Sequence, residues 1–201
     1  TLSRDPISHL VEEQILAYVH RESEIDGILL SHYHGGLLTQ SLIESIKDMQ
    51  KKGTLITVDA QGELEKFNGL DVIKCNADDA STYLDRELES NEDFEAAARE
   101  LYELLNVGRV MVITRGGDGA TIATETDILH CPSPDVSDVF DTVGAGDTSI
   151  ALITLALAQN IPPRDAVMLA NYASGIVVRH VGNYAPSPAE LAKSIMDDPL
   201  G

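Results

Sequence analysis

The chain has 201 residues, a formal net charge of −19 and 43% hydrophobic residues. This length and apolar content predict a folded domain with a sizeable core and argue against disorder. The charge excludes the basic surface that nucleic-acid binding requires. The sequence shows neither a signal-peptide pattern nor an apolar run of about 18 residues that would predict a membrane span. Cys75 and Cys131 lack metal-ligand spacing and are expected to be buried thiols of a cytoplasmic protein.

Apolar periodicity predicts helices that alternate with strands. In chain order we expect a helix over residues 6–21, a strand over 25–33, a helix over 39–51, strands over 54–60 and 72–76, a helix over 91–106, a strand over 110–114, a hairpin of 120–124 with 127–131, and helices over 148–159, 164–180 and 187–196. This alternation favours βαβ units and a mostly parallel sheet. We therefore predict one α/β domain over residues 1–201.

Four polar segments follow the carboxyl ends of predicted strands. They are SHYHGG at residues 31–36, VDAQG at 58–62, CNADD at 75–79 and ITRGGDG at 113–119. Ligands of parallel α/β sheets bind outside the carboxyl ends of the strands. The shared location of these segments predicts a ligand site at that edge.

The segment DTVGAGD, residues 141–147, stands directly before an apolar predicted helix. Gly144 and Gly146 are small enough to let a ligand approach the backbone closely, and a helix N-terminus offers unpaired N–H groups to an anion. Asp147 at the same helix start could accept the proton of a substrate hydroxyl in phosphoryl transfer. An ordinary helix cap with glycine in a tight turn explains these residues equally well.

This segment resembles the second signature of the ribokinase-like sugar kinases of the phosphofructokinase-B type, and the chain is nearest in pattern to bacterial heptose 7-phosphate kinases. The resemblance implies a three-layer α/β/α fold, ATP and Mg²⁺ as cofactors, and a cytoplasmic protein that forms a homodimer. It implies Asp147 as the catalytic base, with the backbone amides of Gly144, Ala145 and Gly146 as the anion hole.

Two further segments match the same family in the same order. Thr114, Gly116 and Gly119 resemble its nucleotide-contacting turn, although a Gly-rich hairpin turn would also account for them. Asn76 and Asp79 resemble an Asn-x-x-Glu motif linked to phosphate and Mg²⁺, with aspartate in place of glutamate. The resemblance thus implies Asn76 as a nucleotide residue and Asp79 as a metal residue acting through water.

The late helix and the loop after it carry weaker matches. Asn171 resembles a residue that contacts the adenine, while a small-residue helix packed on a neighbour would explain the residues around it. Members of the family often bind a monovalent cation such as K⁺ near the second signature. By resemblance Asp141, Val143 and Gly182 could contribute to that cation site.

The segment SHYHGG has two histidines at positions i and i+2, which face one side of a strand and could suit a metal. The sequence offers no third ligand beside them, so we do not expect a metal there. The same segment resembles a Ser-Asp-Tyr-x-x-Gly stretch of the heptose kinases, with His32 in place of aspartate. This likeness, together with VDAQG, implies Gly36, Asp59 and Gln61 as substrate residues, and Gln61 replaces a lysine.

The resemblance covers only the C-terminal two-thirds of a typical member, and the chain begins at Thr1, so we expect a processed, trimmed or partial chain. We predict an ATP-dependent sugar kinase that phosphorylates a sugar or sugar-phosphate hydroxyl. The alternative is a degenerate, non-catalytic nucleotide-binding or interaction module. The sequence lacks the Gly-x-Ser-x-Gly elbow of a hydrolase and the Gly-x-Gly-x-x-Gly of a dinucleotide site.

Overall fold

Six strands form one sheet, and their order across the sheet is their order along the chain. The computed structural model describes residues 4–21, 25–136 and 139–197. The strands are β1 (Gly27–His32), β2 (Leu55–Ala60), β3 (Val72–Asn76), β4 (Val110–Thr114), β5 (Ala120–Ala123) and β6 (Ile128–Cys131). Strands β1 to β4 run parallel, and β5 and β6 are antiparallel to their neighbours. The predicted mostly parallel sheet and the hairpin of its last two strands are confirmed.

Seven α-helices precede, connect or follow these strands in the described part of the chain. They are α1 (His9–Arg21), α2 (Gln40–Gln50), α3 (Ala77–Leu84), α4 (Asn91–Leu104), α5 (Ala145–Ala158), α6 (Pro163–Val177) and α7 (Pro188–Asp197). Two 3-10 turns lie at Leu64–Phe67 and Gly116–Asp118. No helix in residues 4–21, 25–136 or 139–197 is long and apolar enough to cross a membrane.

Helices cover both faces of the sheet, because successive strand residues point to opposite sides. On one face, Ile56 and Ile73 pack in a core with Ile43 of α2 and Phe94 of α4. On the other face, the preceding strand residues, Leu55 and Val72, pack in a second core with α5 and α6. Two buried cores on one sheet make the three-layer α/β/α architecture that was predicted.

Helix α5 begins three residues earlier than its apolar run predicted. Gly144 occupies the N-cap position with φ 82 and ψ −5, a left-handed conformation that favours glycine. The helix therefore starts at Ala145, and Asp147 lies in its first turn rather than before it. Deeper in the helix, a buried hydrogen bond of 2.7 Å between the hydroxyls of Thr57 and Thr154 ties α5 to β2. This bond fixes the helix start relative to the strand ends.

Helix α3 was not predicted as an element of its own. It has only eight residues, with Ala80 buried and Ala77, Tyr83 and Leu84 packed partly buried on the core, and a stretch this short is hard to assign from apolar periodicity. Its start is set by Asn76, whose Oδ1 accepts a hydrogen bond of 2.8 Å from the Asp79 N–H. The cap places Asp79 in the first turn of the helix, beside the carboxyl end of β3.

Candidate active site

A cavity of about 220 Å³ lies where the carboxyl ends of β1 to β4 meet the N-terminus of α5. This is the edge that the four polar segments predicted. Eight of the predicted site residues line it together: Asp59, Gln61, Asn76, Asp79, Thr114, Gly144, Gly146 and Asp147. Three further lining residues, Tyr33, Lys74 and Thr142, were not predicted as site residues. The tertiary structure therefore gathers the separate motifs into one site.

Asp147 is held by a tyrosine from the far end of the chain. The Tyr33 hydroxyl donates a hydrogen bond of 2.7 Å to Asp147 Oδ1 across a separation of 114 residues. Burial, followed by this hydrogen bond and the negative charge of Asp147, raises the pKa of Tyr33 to about 12. The phenol therefore stays protonated at neutral pH and acts as a donor that orients the carboxylate. Sequence reasoning noted Tyr33 only as part of a matching stretch and gave it no role.

A buried ion pair forms the floor of the cavity. Lys74 Nζ lies 2.7 Å from Asp59 Oδ1, and the two side chains are only 4% and 8% exposed. Burial raises the pKa of Asp59; Lys74 opposes this rise, and Asp147 and Asp79 add to it. A Cβ atom on Gly146 would lie 3.5 Å from both Asp59 Oδ2 and Lys74 Nζ, so the first turn of α5 rests directly on the pair.

Lys74 is the only cation among the residues that line the cavity. Sequence analysis missed it, because it sits inside a short strand whose other residues are apolar or turn formers. The position of Lys74 could have revealed its importance, because a lysine in a buried strand needs a partner or a ligand. Gln61 stands where the heptose-kinase pattern has a lysine, and Lys74 supplies positive charge at the same edge.

Asn76, Asp79 and Thr114 form the wall of the cavity beside β3 and β4. Asn76 uses its Oδ1 to cap α3. The Thr114 hydroxyl donates to the Cys75 carbonyl oxygen at 3.3 Å, which joins the ends of the two strands. Asp79 Oδ2 is buried and has no hydrogen-bond partner within the described residues. An orphaned carboxylate oxygen of this kind is a ready acceptor for a metal-bound water.

The N-terminus of α5 opens onto the cavity through Gly144, Gly146 and Asp147. No side chain caps this helix start, so the N–H groups of its first turn have no side-chain acceptor. Ala145 does not line the cavity, and its carbonyl oxygen accepts a hydrogen bond of 3.1 Å from the Ser174 hydroxyl. That bond joins α6 to the first turn of α5 and steadies the turn that carries Asp147.

Several predicted site residues lie outside the cavity. Gly116 and Gly119 form the turn between β4 and β5, where a Cβ atom on Gly119 would lie 2.2 Å from the Cys131 carbonyl oxygen. The Asn171 amide nitrogen is buried and donates to the carbonyl oxygens of Cys131 and Pro132 at 2.8 and 3.0 Å. Its amide hydrogens thus hold the end of β6, a structural role that the sequence did not predict for Asn171.

Gly36 also lies away from the cavity and contacts the N-terminal segment. Its carbonyl oxygen accepts a hydrogen bond of 3.0 Å from the Ile7 N–H. A Cβ atom on Gly36 would lie 1.9 Å from the Asp5 carbonyl oxygen, so only glycine fits this contact. The structure therefore gives Gly36 a packing role at this position.

The three residues predicted for a monovalent cation do come together. The Asp141 carboxylate accepts hydrogen bonds of 3.0 Å from the Val143 N–H and of 3.0 Å from the Gly182 N–H. These backbone hydrogen bonds lower the pKa of Asp141. One carboxylate thus joins the loop before α5 to the loop after α6.

A larger cavity of about 690 Å³ lies at the opposite edge of the sheet, where Asp26, Leu55 and Arg109 stand at the amino ends of the strands. None of the predicted site residues lines it. Size alone would place the ligand there, but the convergent polar groups lie in the smaller cavity, and such groups identify a site better than volume.

The chemistry of the smaller cavity is that of a site for phosphate groups and a divalent cation. Three carboxylates, those of Asp59, Asp79 and Asp147, face a single lysine. Oxygen ligands of this kind suit Mg²⁺, and the open helix start suits an anion. Fold and cavity together match what phosphoryl transfer requires of a three-layer α/β/α protein.

Residues 23–190 match the sequence profile of the pfkB family carbohydrate kinases, and the chain belongs to this family. Among curated relatives, it is 32% identical over 205 residues to the bifunctional protein HldE of Desulfatibacillum aliphaticivorans, covering 99% of this chain and 42% of that protein. It is 32% identical over 197 residues to HldE of Geobacter metallireducens, covering 96% and 40%. The chain thus spans about two-fifths of the length of these relatives.

Solved structures confirm the fold at lower sequence identity. Phosphofructokinase-2 from Escherichia coli, solved with potassium, superposes with a TM-score of 0.83 at 22% identity, over 96% of this chain and 63% of that one. Ribokinase from Arabidopsis thaliana, solved with ribose and ATP, gives a TM-score of 0.75 at 18% identity, over 95% and 60%. The predicted ribokinase-like architecture, and the match to only part of a full-length kinase, are confirmed.

Proposed function

We propose that the chain carries the phosphoryl-transfer site of an ATP-dependent sugar kinase. The observation that carries the proposal is the Asp147 carboxylate, which lies on the first turn of an uncapped helix and faces a cavity lined by polar residues of four further motifs. An aspartate beside open helix N–H groups can accept a hydroxyl proton where negative charge develops on a transferred phosphoryl group.

Asp147 is the general base of the proposed reaction. The Tyr33 hydroxyl holds Oδ1 at 2.7 Å, so Oδ2 is the oxygen that takes the proton from the sugar hydroxyl as this hydroxyl attacks the γ-phosphorus of ATP. The bond between the γ-phosphorus and its bridging oxygen breaks in line, and ADP leaves. The N–H groups of Gly144 and Gly146, which line the cavity, stabilise the transferred group, whereas the Ala145 N–H donates at 3.3 Å to the Thr142 carbonyl oxygen.

The nucleotide side of the proposed site lies along β3 and β4. Asn76 and Thr114 are placed to contact phosphates, and Lys74 supplies the positive charge. We assign the adenosine to the turn with Gly116 and Gly119 and to the region of Asn171. The orphaned oxygen of Asp79 would hold Mg²⁺ through water. When bound, Mg²⁺ neutralises charge on the phosphate oxygens. K⁺ would bind at Asp141, Val143 and Gly182.

The sugar side of the proposed site lies at the ends of β1 and β2, where Asp59 and Gln61 line the cavity. We propose a sugar phosphate of the heptose 7-phosphate type, phosphorylated at its 1-hydroxyl. The heptose-kinase-like stretch at residues 31–39 and the identity of 32% to the HldE proteins support this substrate.

The test replaces Asp147 with asparagine, which keeps the size of the side chain and removes the base. Turnover with ATP and a panel of sugar phosphates should fall by about 10²- to 10⁴-fold, the usual contribution of a general base, while ATP affinity stays nearly unchanged. Asp165→Asn is the matched control, because Asp165 stands in the first turn of α6 and does not line the cavity. Its turnover should equal that of the unmodified protein.

Turnover that survives in Asp147→Asn would refute the assignment of the base. Failure of the unmodified protein to bind ATP would refute the kinase and the nucleotide-binding module together. Binding of ATP without turnover on any sugar phosphate would instead support the non-catalytic module. This alternative is kept because the chain spans only about two-fifths of the length of its curated relatives.

A further inference from the structure

We propose that His32, His34 and Glu63 form a binding site for a transition-metal ion of the zinc class, next to the kinase cavity. One ligand atom from each residue can be chosen such that all three lie within 4.8 Å of one another. Sequence analysis found the two histidines but no third ligand. The fold supplies the third ligand, because the loop after β2 brings Glu63 against the end of β1.

The two distances to Glu63 are close to those of a tetrahedral site, and the two histidine nitrogens lie within 4.8 Å of each other. His32 Nε2 lies 3.2 Å from Glu63 Oε2, and His34 Nδ1 lies 3.7 Å from the same oxygen. A Zn²⁺ ion bound at about 2.0–2.2 Å in tetrahedral geometry holds its ligand atoms about 3.3–3.5 Å apart. Small side-chain rotations would bring the three atoms onto one ion. Two histidines and one carboxylate also leave one tetrahedral position open.

His32 is a buried histidine whose ring is only partly satisfied. Its side chain is 5% exposed, and its Nδ1 atom is buried with no hydrogen-bond partner within the described residues. Nε2 is the ring atom that faces Glu63, so Nε2 and not Nδ1 would bind the ion. The His32 ring also packs at 5.2 Å against Phe67 and at 4.6 Å against His34, which restricts its orientation.

Backbone conformation supports the same assignment. His34 and Glu63 both adopt left-handed conformations, with φ 52 and φ 47, which are uncommon for residues other than glycine. Between the two loops, a Cβ atom on Gly62 would lie 3.4 Å from His34 Cε1 and Nε2, so a larger residue would crowd the ring. Strained backbone of this kind persists where the surrounding structure or a ligand over-determines it.

One resident cation would compete with the metal. Lys66 Nζ lies 3.6 Å from Glu63 Oε2, the oxygen that both histidines approach. A bound ion would displace this ammonium group or share the carboxylate with it. Removing Lys66 should therefore tighten metal binding, which is the opposite of the effect expected from removing a ligand.

The site would join two loops that line the kinase cavity. Tyr33 lies between the two histidines and donates to Asp147, and Gln61 stands two residues before Glu63. A bound ion would therefore fix the loops that place Tyr33 and Gln61. The metal assignment itself does not depend on the kinase proposal, because its three ligands do not line that cavity.

The experiment titrates chelator-treated protein with Zn²⁺ alone, in competition with a chromophoric zinc indicator. The unmodified protein should bind one Zn²⁺ per chain at this site. His34→Asn and Glu63→Gln should each weaken binding by at least about 10-fold, a loss that even outer-shell partners produce. His34 and Glu63 side chains are 42% and 51% exposed, so both variants should fold. Mg²⁺ at the same concentration should not compete, because it prefers oxygen ligands.

His9→Ala is the matched control, since His9 also pairs with a carboxylate, Glu13 Oε1 at 3.4 Å, but has no third ligand in the described structure. It should bind Zn²⁺ as the unmodified protein does, whereas Lys66→Met should bind it more tightly. Equal binding by the unmodified protein and by both ligand variants would overturn the proposal. An equal loss in His9→Ala, or weaker binding by Lys66→Met, would also overturn it.

Discussion

The buried pair of Lys74 and Asp59 makes the stability of this protein sensitive to one lysine. We consider Lys74→Met, which keeps a long side chain and removes the charge. The two side chains are 4% and 8% exposed and lie 2.7 Å apart, a separation at which two unit charges attract by about 6 kcal/mol at an effective dielectric constant of about 20. The substitution leaves Asp59 buried without its cation.

The cost has an upper bound, because Asp59 can escape by taking up a proton. About three pH units separate the ordinary pKa of an aspartate from pH 7, and each unit is worth about 1.4 kcal/mol, so protonation limits the loss to about 4 kcal/mol. Breaking a buried pair typically costs about 3–5 kcal/mol. We therefore expect Lys74→Met to lower the free energy of unfolding at pH 7 by about 3–4 kcal/mol.

The pH dependence gives a second signature of the same cause. Burial raises the pKa of Asp59 above its ordinary value even with Lys74 present, so the folded state already binds this proton more readily than the unfolded state. Removing Lys74 raises that pKa further. The difference in stability between variant and unmodified protein should be greatest at neutral pH. It should shrink as the pH falls through the folded pKa of Asp59.

The assay is urea unfolding of both proteins at several pH values. Lys51→Met is the matched control, because Lys51 Nζ lies at the same 2.7 Å from Asp48 Oδ1 but both side chains are largely exposed, at 79% and 68%. Exposed pairs contribute little, so this variant should unfold almost like the unmodified protein. Equal small losses in both variants, or a Lys74→Met loss that does not change with pH, would refute the reasoning.

Three further predictions concern the site and its support. Asp147→Asn should lower the pKa of Tyr33 below its value of about 12, measured by phenolate absorbance, because a hydrogen bond and a negative charge are lost; an unchanged titration would contradict this. Asn171→Leu should cost about 2–3 kcal/mol of unfolding free energy, since it leaves two backbone carbonyl acceptors without their donor, and a smaller loss would mean that water replaces the amide. Gly119→Ala should lower the free energy of unfolding by about 3 kcal/mol or more, because its Cβ would lie 2.2 Å from a carbonyl oxygen at φ 86. Gly116→Ala, at φ 57, meets open space and should cost only about 1–2 kcal/mol. Similar losses in the two variants would refute the steric argument.

Much of the fold followed from local pattern. The limits of β3 and β4 were predicted to the residue, because buried parallel strands appear as short, continuous apolar runs. The start of α5 was placed three residues late, since apolar periodicity does not register a helix turn made of Gly, Ala and Asp. Helix α3 was missed because its eight residues are too few for apolar periodicity to identify a helix with certainty.

The sequence by itself indicated the parallel sheet and the edge at which the polar segments cluster, because strand alternation is a local feature, and its resemblance to the sugar kinases implied the role proposed for Asp147. Tertiary structure alone decided which side chains meet there. Tyr33 reaches Asp147 across 114 residues, Lys74 meets Asp59 within the sheet, and Glu63 joins the two histidines after β1. These contacts depend on how neighbouring strands align their ends, and no spacing along the chain encodes that alignment.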